Sequence, residues 1–407
     1  MAMKPLKALL SLEEGMRILL ENVSPLARTE RVPLLEAAGR VLAEPIVAAM
    51  DVPPFPRASM DGYAVIAQDT FGAGNFKPVR LRLLEVVHAA DIASGAVTAG
   101  TCIQVATGAP IPLGADAVVM VEDTELEADE PGTVKIYKPV YPRQNASPKG
   151  EDIQTGVEVL SPGTRLDPSK VGVLAALGLT QVAVVAKPTV AVIPSGNEIV
   201  TPGEPLTPGK IYDINSYTLA ALIQEAGGLP RLFPATQDTL EDVRRALHEA
   251  LSCDVLVLSG GSSVGERDVM VEAVESMGEV KFHGIAVKPG KPTLCGVIEG
   301  KLVLGMPGYP TSCLTNGYGL LMPVLRKLGR LPEAVRSAGL ELPMSRRYTS
   351  TTGRHQYLPV RIENGEVVPV FKQSGAITSM ANAEGYIEIP ANVDLVEKGE
   401  RVLVKFF

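Results

Sequence analysis

A glycine-rich turn follows a strongly apolar run in the segment DVLVLSGGSSVGERD, residues 254–268. Its small residues would let backbone N–H groups close on an oxyanion, and the helix predicted after it would add the positive end of its dipole. The predicted ligand-binding residues of this turn are Gly260, Gly261, Ser262, Ser263 and Gly265. The turn is neither a GxGxxG fingerprint nor a Walker A loop, so a purely structural role stays open on this pattern alone.

Acidic residues stand close to this turn and to other predicted strand ends. Asp268 follows the glycines, Glu198 lies in the segment PSGNE after another strand, and Asp238 lies in TQDT. Hard cations take oxygen ligands, so Asp268 and Glu198 are candidate Mg²⁺ ligands that would converge on one crevice. The alternative for Asp268 is an acid that interacts with the dipole of a helix start.

Two lysines, Lys288 and Lys291, lie in the segment KPGKP, whose prolines and glycine disfavour a helix. Two cations held close on a stiff loop repel each other unless an anion lies between them, so the pair is a candidate oxyanion site. A solvated basic turn is the alternative. In the loop GMPGYPTS, residues 305–312, Pro307, Gly308 and Ser312 form a second candidate anion site, or simply a capped turn.

Strands and helices alternate regularly around these motifs. The predicted strands are 189–193, 254–258 and 302–304, and the predicted helices are 216–226, 240–251, 269–277 and 312–328. This alternation favours a doubly wound, mostly parallel sheet with helices on both faces, which binds ligands at the carboxyl ends of its strands. Helices are also predicted after Ser11 and after Ser169, and β-rich segments from about residue 40 to 145 and beyond residue 331.

Composition narrows the class of protein. The 46 acidic residues exceed the 38 basic ones, and the net charge of −8 argues against a general nucleic-acid binder. The four cysteines form no CxxC pair and lie in apolar contexts, so free buried thiols in a reducing cytoplasm are expected. We also expect neither a signal peptide nor a membrane-spanning segment.

Eight motifs in a fixed order resemble those of the molybdopterin molybdenumtransferase family, which includes MoeA and the gephyrin E domain. They are PPFPRASMDGYAV (53–65), ATGAPIPLGADAVVMVE (106–122), KGEDIQTG (149–156), PSGNE (194–198), YDINS (212–216), SGGSSVGERD (259–268), KPGKP (288–292) and MPGYPTS (306–312). The match extends from about residue 10 to 390. It departs from the family pattern at Tyr309, where an Asn is usual, at Ser262, where a Val is usual, and at Lys149, where an Arg is frequent.

The resemblance implies a multidomain fold and a homodimer. The implied domains are a discontinuous linker domain (1–45 and 146–187), a β-rich domain (46–145), a molybdopterin-binding α/β domain (188–330) and a C-terminal, small β-barrel domain (331–407). It implies a substrate, adenylylated molybdopterin, that receives molybdate or tungstate with release of AMP and in the presence of Mg²⁺. The implied cleft combines the α/β domain of one subunit with the β-rich domain of the other. The upstream adenylyltransferase and molybdoenzyme apoproteins are the expected protein partners.

Carried over residue by residue, the resemblance implies a set of site residues. The implied catalytic residues are Asp61, Thr107, Glu198, Asp238 and Asp268, and the implied oxyanion contacts are Lys288, Lys291, Ser312, Arg354 and Ser379. Two other activities compete with metal insertion: an adenylyltransferase that shares the α/β domain, and a non-catalytic, gephyrin-like scaffold. The additional motifs outside the α/β domain argue against the first, and the intact acidic and lysine sets argue against the second.

Overall fold

A computed structural model describes residues 9–260, 269–332 and 339–407. Its contacts divide the chain into two units. The first comprises Met1–Val32, Glu36–Ala43 and Ala183–Phe407, and the second comprises Pro33–Leu35 and Glu44–Val182. Within the described residues, no helix is both long and apolar enough to cross a membrane. All four cysteines are free and buried, as the sequence predicts.

Every predicted α-helix is present, but the helix predicted over 312–328 is divided in two, and the short helix at 378–381 was not predicted. The α-helices are α1 Leu12–Glu21, α2 Pro168–Ala176, α3 Asn215–Glu225, α4 Leu240–Ala250, α5 Val269–Met277, α6 Pro310–Asn316, α7 Met322–Leu328 and α8 Thr378–Ala381. A π-helical turn, Gly317–Leu321, joins α6 to α7. The Ser11 hydroxyl accepts a hydrogen bond from the Glu14 N–H at 3.1 Å, which confirms the predicted cap of α1.

The start of α2 differs from the prediction. Asp167, not Ser169, is the cap, because its carboxylate accepts the Lys170 N–H at 3.1 Å. Pro168 takes the first helical position, where a missing N–H costs nothing, and Ser169 lies inside the helix.

The second unit contains a six-stranded sheet in the order β7-β4-β6-β5-β9-β8. Its pairs are antiparallel except β5–β6. Alternate residues of β4 enter two apolar clusters, Tyr63 and Val65 one and Ala64 the other, so both faces of the sheet are covered. The first strand of the chain, β1 Thr29–Pro33, lies almost entirely in the first unit. The strands of the second unit are β2 Ile46–Val47, β3 Arg57–Ala58, β4 Gly62–Val65, β5 Val79–Val87, β6 Thr101–Val105, β7 Ala117–Met120, β8 Thr124–Leu126, β9 Thr133–Ile136, β10 Ala146–Ser147 and β11 Glu158–Leu160.

The first unit is built on a doubly wound sheet in the order β16-β13-β17-β21-β20-β18. The first four strands are parallel, and β20 and β18 add antiparallel pairs. The sequence predicted β13, β17 and β21 but not β16, β18 or β20. The next strands are β12 Gln181–Val185, β13 Thr189–Pro194, β14 Ile199–Val200, β15 Ile211–Tyr212, β16 Leu229–Leu232, β17 Val255–Ser259, β18 Glu279–His283, β19 Val287–Lys288, β20 Leu294–Ile298 and β21 Lys301–Met306.

Helices cover both faces of this sheet. In β13, Val190 and Val192 face a core that α1, α3, α6 and α7 help to form, whereas Ala191 and Ile193 face a core with α4 and α5. Strands buried on both faces are apolar throughout, so continuous apolar runs in the sequence predict them. The predicted doubly wound α/β fold is confirmed.

The C-terminal part of the first unit forms a half-barrel. Its main sheet has the order β19-β24-β26-β28-β22, with β25 on β24, and β23 pairs with β27. The strands are β22 Leu340–Pro343, β23 Tyr348–Thr349, β24 His355–Glu363, β25 Glu366–Pro369, β26 Gly385–Ile389, β27 Leu395–Val396 and β28 Arg401–Phe406. Because β19 is Val287–Lys288, the lysine turn is hydrogen-bonded to the C-terminal sheet, with Lys288 opposite Gln356.

Candidate functional site

Three parallel strands of the first unit end side by side. Pro194 of β13 is opposite Ser259 of β17, and Ser259 is opposite Met306 of β21. The segments that follow these strands therefore leave the same edge of the sheet. This edge is where open α/β sheets bind ligands.

The backbones of these three segments are in direct contact at Gly260. Its φ is +104°, and a Cβ there would lie 2.0 Å from the Ser195 carbonyl oxygen. A Cβ on Gly308 would in turn lie 3.4 Å from the Gly260 Cα. Only glycine fits at position 260, because any side chain would collide with backbone. The other predicted residues of the turn, Gly261, Ser262, Ser263, Gly265 and Asp268, lie outside the described residues.

Glu198 and Asp238 are exposed on neighbouring loops at this edge. The Ser195 hydroxyl donates to Asp238 Oδ1 at 2.9 Å, and the Asp238 N–H donates to Asn197 Oδ1 at 3.4 Å. The Glu198 carboxylate folds over Gly196, where an added Cβ would lie 2.8 Å from Oε2. Two acids that are far apart in sequence thus lie on adjoining loops that hydrogen bonds hold together.

Two polar residues of the motif YDINS, Asp213 and Asn215, have different roles in the structure. Asp213 caps α3, since its Oδ1 accepts the Ser216 N–H at 3.0 Å. Asn215 instead donates from Nδ2 to the Gly308 carbonyl at 2.9 Å and is only 8% exposed. Asn215 therefore fixes the MPGYPTS loop, a role that its place beside a capping residue concealed.

Lys288 and Arg354 lie near each other on the side of the lysine turn. Burial, together with the Arg354 charge, lowers the pKa of Lys288 below its ordinary value. The Lys288 ammonium donates to the Thr351 hydroxyl at 2.9 Å. Within residues 9–260, 269–332 and 339–407, no ion pair involves Lys288, Lys291 or Arg354. The described part of the chain thus places two cations together with no carboxylate between them.

The C-terminal sheet region contacts the MPGYPTS loop through Thr311. Its N–H donates to the Ser374 carbonyl at 3.0 Å, and its hydroxyl donates to the Ala376 carbonyl at 2.9 Å. Ser312, one residue later, is 3% exposed. Tyr309 is 67% exposed, with its ring beside Gly375. The aromatic substitution in the PGYP motif therefore lies on the surface of this loop.

Ser379 has a different environment from the other predicted oxyanion contacts. It is completely buried, and its hydroxyl accepts the Lys372 N–H at 3.0 Å. This geometry favours a residue that holds the 372–376 loop in place, and a direct contact with an oxyanion stays a prediction.

The second unit brings Asp61 and Thr107 together. Asp61 Oδ1 accepts the Thr107 N–H at 2.6 Å and its hydroxyl at 2.9 Å. These two hydrogen bonds, the backbone one first, lower the pKa of Asp61. Asp51 makes a similar pair with Thr155, at 2.8 Å and 3.0 Å, which the sequence reading missed. Both aspartates are thus held ionised and oriented by a threonine.

Comparison with known proteins places this geometry in a family. Family models match the MoeA N-terminal region (domain I and II) over residues 10–178, a probable molybdopterin binding domain over 191–327, and the MoeA C-terminal region (domain IV) over 341–407. A molybdopterin molybdenumtransferase of Staphylococcus aureus is 30% identical over 88% of this chain and 86% of its own length.

Solved structures support the same family. A molybdopterin biosynthesis MoeA protein from Pyrococcus horikoshii is 41% identical, with a TM-score of 0.83 over 98% of this chain and 99% of that one. A second MoeA structure from that organism is 33% identical, with a TM-score of 0.84 over 98% of this chain and 100% of that one. With identity of this level along almost its entire length, the chain belongs to the molybdopterin molybdenumtransferase (MoeA) family.

Proposed function

We propose that this protein is an enzyme of molybdenum cofactor biosynthesis that inserts molybdate or tungstate into adenylylated molybdopterin and releases AMP. The observation that carries the proposal is the pairing of Lys288 with Arg354. Partial burial weakens the hydration of the Lys288 ammonium, and the positive charge of Arg354 disfavours a second charge beside it. A doubly charged oxyanion between them would remove both penalties, so the arrangement suits a molybdate-binding site.

The pterin substrate would bind at the strand ends. The residues there that we assign to it are the glycine turn from Gly260 and the loop of Pro307 and Gly308, whose backbones touch. The family match over 191–327 supports this choice of region. Lys288 and Lys291 would then hold the oxyanion close to the dithiolene sulfurs, which makes insertion effectively unimolecular.

The acidic residues at the strand ends of the α/β sheet suit a Mg²⁺ site. Among the residues described, no group of three or more metal-binding side chains lies together. Mg²⁺, however, is usually held by one or two carboxylates together with substrate phosphates. Glu198 and Asp268 are the ligands that we propose, with Asp238 on the loop beside Glu198. When bound there, the ion would neutralise charge on the pyrophosphate link between AMP and the pterin.

We further propose a cytoplasmic homodimer in which Asp61 and Thr107 of one subunit complete the cleft of the other. The fixed, ionised state of Asp61 suits a residue that orients a cation or a water molecule. The four buried thiols suit a reducing compartment. The substrate would come from an adenylyltransferase, and the product would pass to molybdoenzyme apoproteins.

AMP release tests the activity. Purified protein is supplied with adenylylated molybdopterin and Mg²⁺, with or without molybdate, and AMP is quantified. We expect release that depends on molybdate. A parallel assay supplies ATP and molybdopterin, and their conversion to pyrophosphate and adenylylated product would mean that the protein is an adenylyltransferase. If verified substrate remains intact, the protein is not an insertase, and a scaffold role gains support.

A further inference from the structure

The turn between Lys288 and Lys291 is fastened to a helix by one buried side chain. Asn316 is the last residue of α6 and is 1% exposed. Its Nδ2 donates to the Gly290 carbonyl at 3.0 Å and to the Thr293 hydroxyl at 2.7 Å. The Thr293 hydroxyl donates in turn to the same Gly290 carbonyl at 2.8 Å. Both hydrogens of the Asn316 amide are therefore used to hold the lysine turn.

The contact is too close to tolerate a side chain in the turn. Gly290 has a φ of +109°, and a Cβ there would lie 2.4 Å from Asn316 Oδ1 and 2.5 Å from Nδ2. The Asn316 amide thus packs directly on the Cα of Gly290. Close packing and the two hydrogen bonds from Asn316 together fix the turn relative to α6, and the third bond joins Thr293 to Gly290.

The same helix carries a second predicted oxyanion contact. Ser312 precedes Asn316 by four residues in α6, so the two lie on one face, one turn apart. Two of the groups proposed to hold the oxyanion, the lysine turn and Ser312, are therefore joined through Asn316.

We infer that Asn316 is a positioning residue for the oxyanion site, which sets the spacing between the Lys288–Lys291 turn and Ser312. Asn316 itself does not touch the oxyanion. The inference rests on the proposed function, since it concerns the geometry of the molybdate subsite. It assigns a role in substrate affinity to a fully buried amide whose other evident role would be packing.

The test compares Asn316→Leu, which removes both donors at similar volume, with wild-type protein. Asn22→Leu is the matched control, because Asn22 Nδ2 also donates to a carbonyl, that of Ile18 at 2.7 Å, in the C-terminal cap of α1. Molybdate binding is measured directly by calorimetry, and the apparent KM for molybdate and kcat are measured from AMP release. We expect Asn316→Leu to weaken molybdate binding and to raise KM at least tenfold, with kcat changed less than threefold, while Asn22→Leu changes neither.

A second variant keeps the test decisive if Asn316→Leu does not fold. Thr293→Val keeps the side-chain shape and removes one member of the network, and Thr293→Ser should restore binding because it keeps the hydroxyl. Molybdate affinity equal to wild type in folded Asn316→Leu, or in Thr293→Val where Asn316→Leu does not fold, would overturn the inference. Failure of the wild-type protein itself to bind molybdate would instead overturn the proposed function, so the two failures are distinguishable.

Discussion

At the scale of single residues, the protonation of Lys288 makes the charge of the proposed oxyanion site depend on pH. Burial and Arg354 lower its pKa below the ordinary 10.5, so the folded protein holds fewer protons than the unfolded chain between the two values. This residue's contribution to stability therefore rises with pH through that window. An oxyanion binds more tightly to the protonated lysine, so the affinity for the oxyanion falls as pH rises.

We predict that molybdate affinity falls as pH rises through the lowered pKa of Lys288, before an ordinary lysine would lose its proton. Arg354→Gln removes a neighbouring cation, so the fall should move to higher pH even though affinity at neutral pH decreases. The measurement is the molybdate Kd from pH 7 to 10 in both proteins. Superimposable pH profiles would mean that Arg354 does not act on Lys288.

The environments of some individual residues could not be predicted from the sequence. The motifs and the family resemblance predicted Asp61, Thr107, Lys288 and Arg354 as site residues, and the structure brings Asp61 to Thr107 and Lys288 to Arg354. They could not indicate that Ser379 is completely buried with its hydroxyl bonded to the Lys372 N–H, because burial depends on segments packed from elsewhere. Asn316 was also missed, since nothing local distinguishes a helical asparagine that fastens a distant turn.

At the scale of elements, the close approach of the segments that follow β13, β17 and β21 depends on Gly260. We predict that Gly260→Ala destabilises the protein by several kcal/mol or prevents folding. A left-handed φ costs about 1–2 kcal/mol for a residue with a Cβ, and a 2.0 Å approach to the Ser195 oxygen adds a backbone displacement. Urea denaturation provides the measurement.

Gly300→Ala is the matched control for this prediction. Gly300 also has a positive φ, +75°, but an added Cβ would have nothing within 4 Å. The Gly300→Ala protein should therefore lose only the free energy that a left-handed φ costs, about 1–2 kcal/mol. Equal losses in the two variants would mean that the contact between the strand ends is unimportant for stability.

Secondary structure was predictable where its signal is local. Strands β13, β17 and β21 and helices α3 to α5 were foreseen because continuous apolar runs and 3.6-residue periodicity lie within one segment, whereas the exposed edge strand β16 was not. Strand β19 was not, because two residues carry no pattern and its partner, β24, begins 67 residues beyond Lys288. The π-helical turn at Gly317–Leu321 likewise has no signature in an apolar helix.

At the scale of the whole molecule, the composite cleft makes a quantitative prediction. If each cleft takes Asp61 from one subunit and Asp268 from the other, then Asp61→Ala and Asp268→Ala should each be inactive. Mixing them under subunit exchange should restore up to about a quarter of the clefts, because only the mixed dimer has a cleft with both acids. Activity is measured as AMP release, and exchange is verified by native mass spectrometry. No recovery after verified exchange would mean that each cleft is built within one chain.

The most direct test of the central claim is the stoichiometry between AMP released and molybdenum incorporated. Wild-type protein and a Lys288→Ala/Lys291→Ala double variant are given adenylylated molybdopterin and molybdate, and AMP and pterin-bound molybdenum are both quantified. We predict one AMP for each molybdenum atom incorporated in the wild type, and loss of both in the double variant with its fold intact. AMP release without incorporation of molybdenum, or full incorporation by the double variant, would contradict the account.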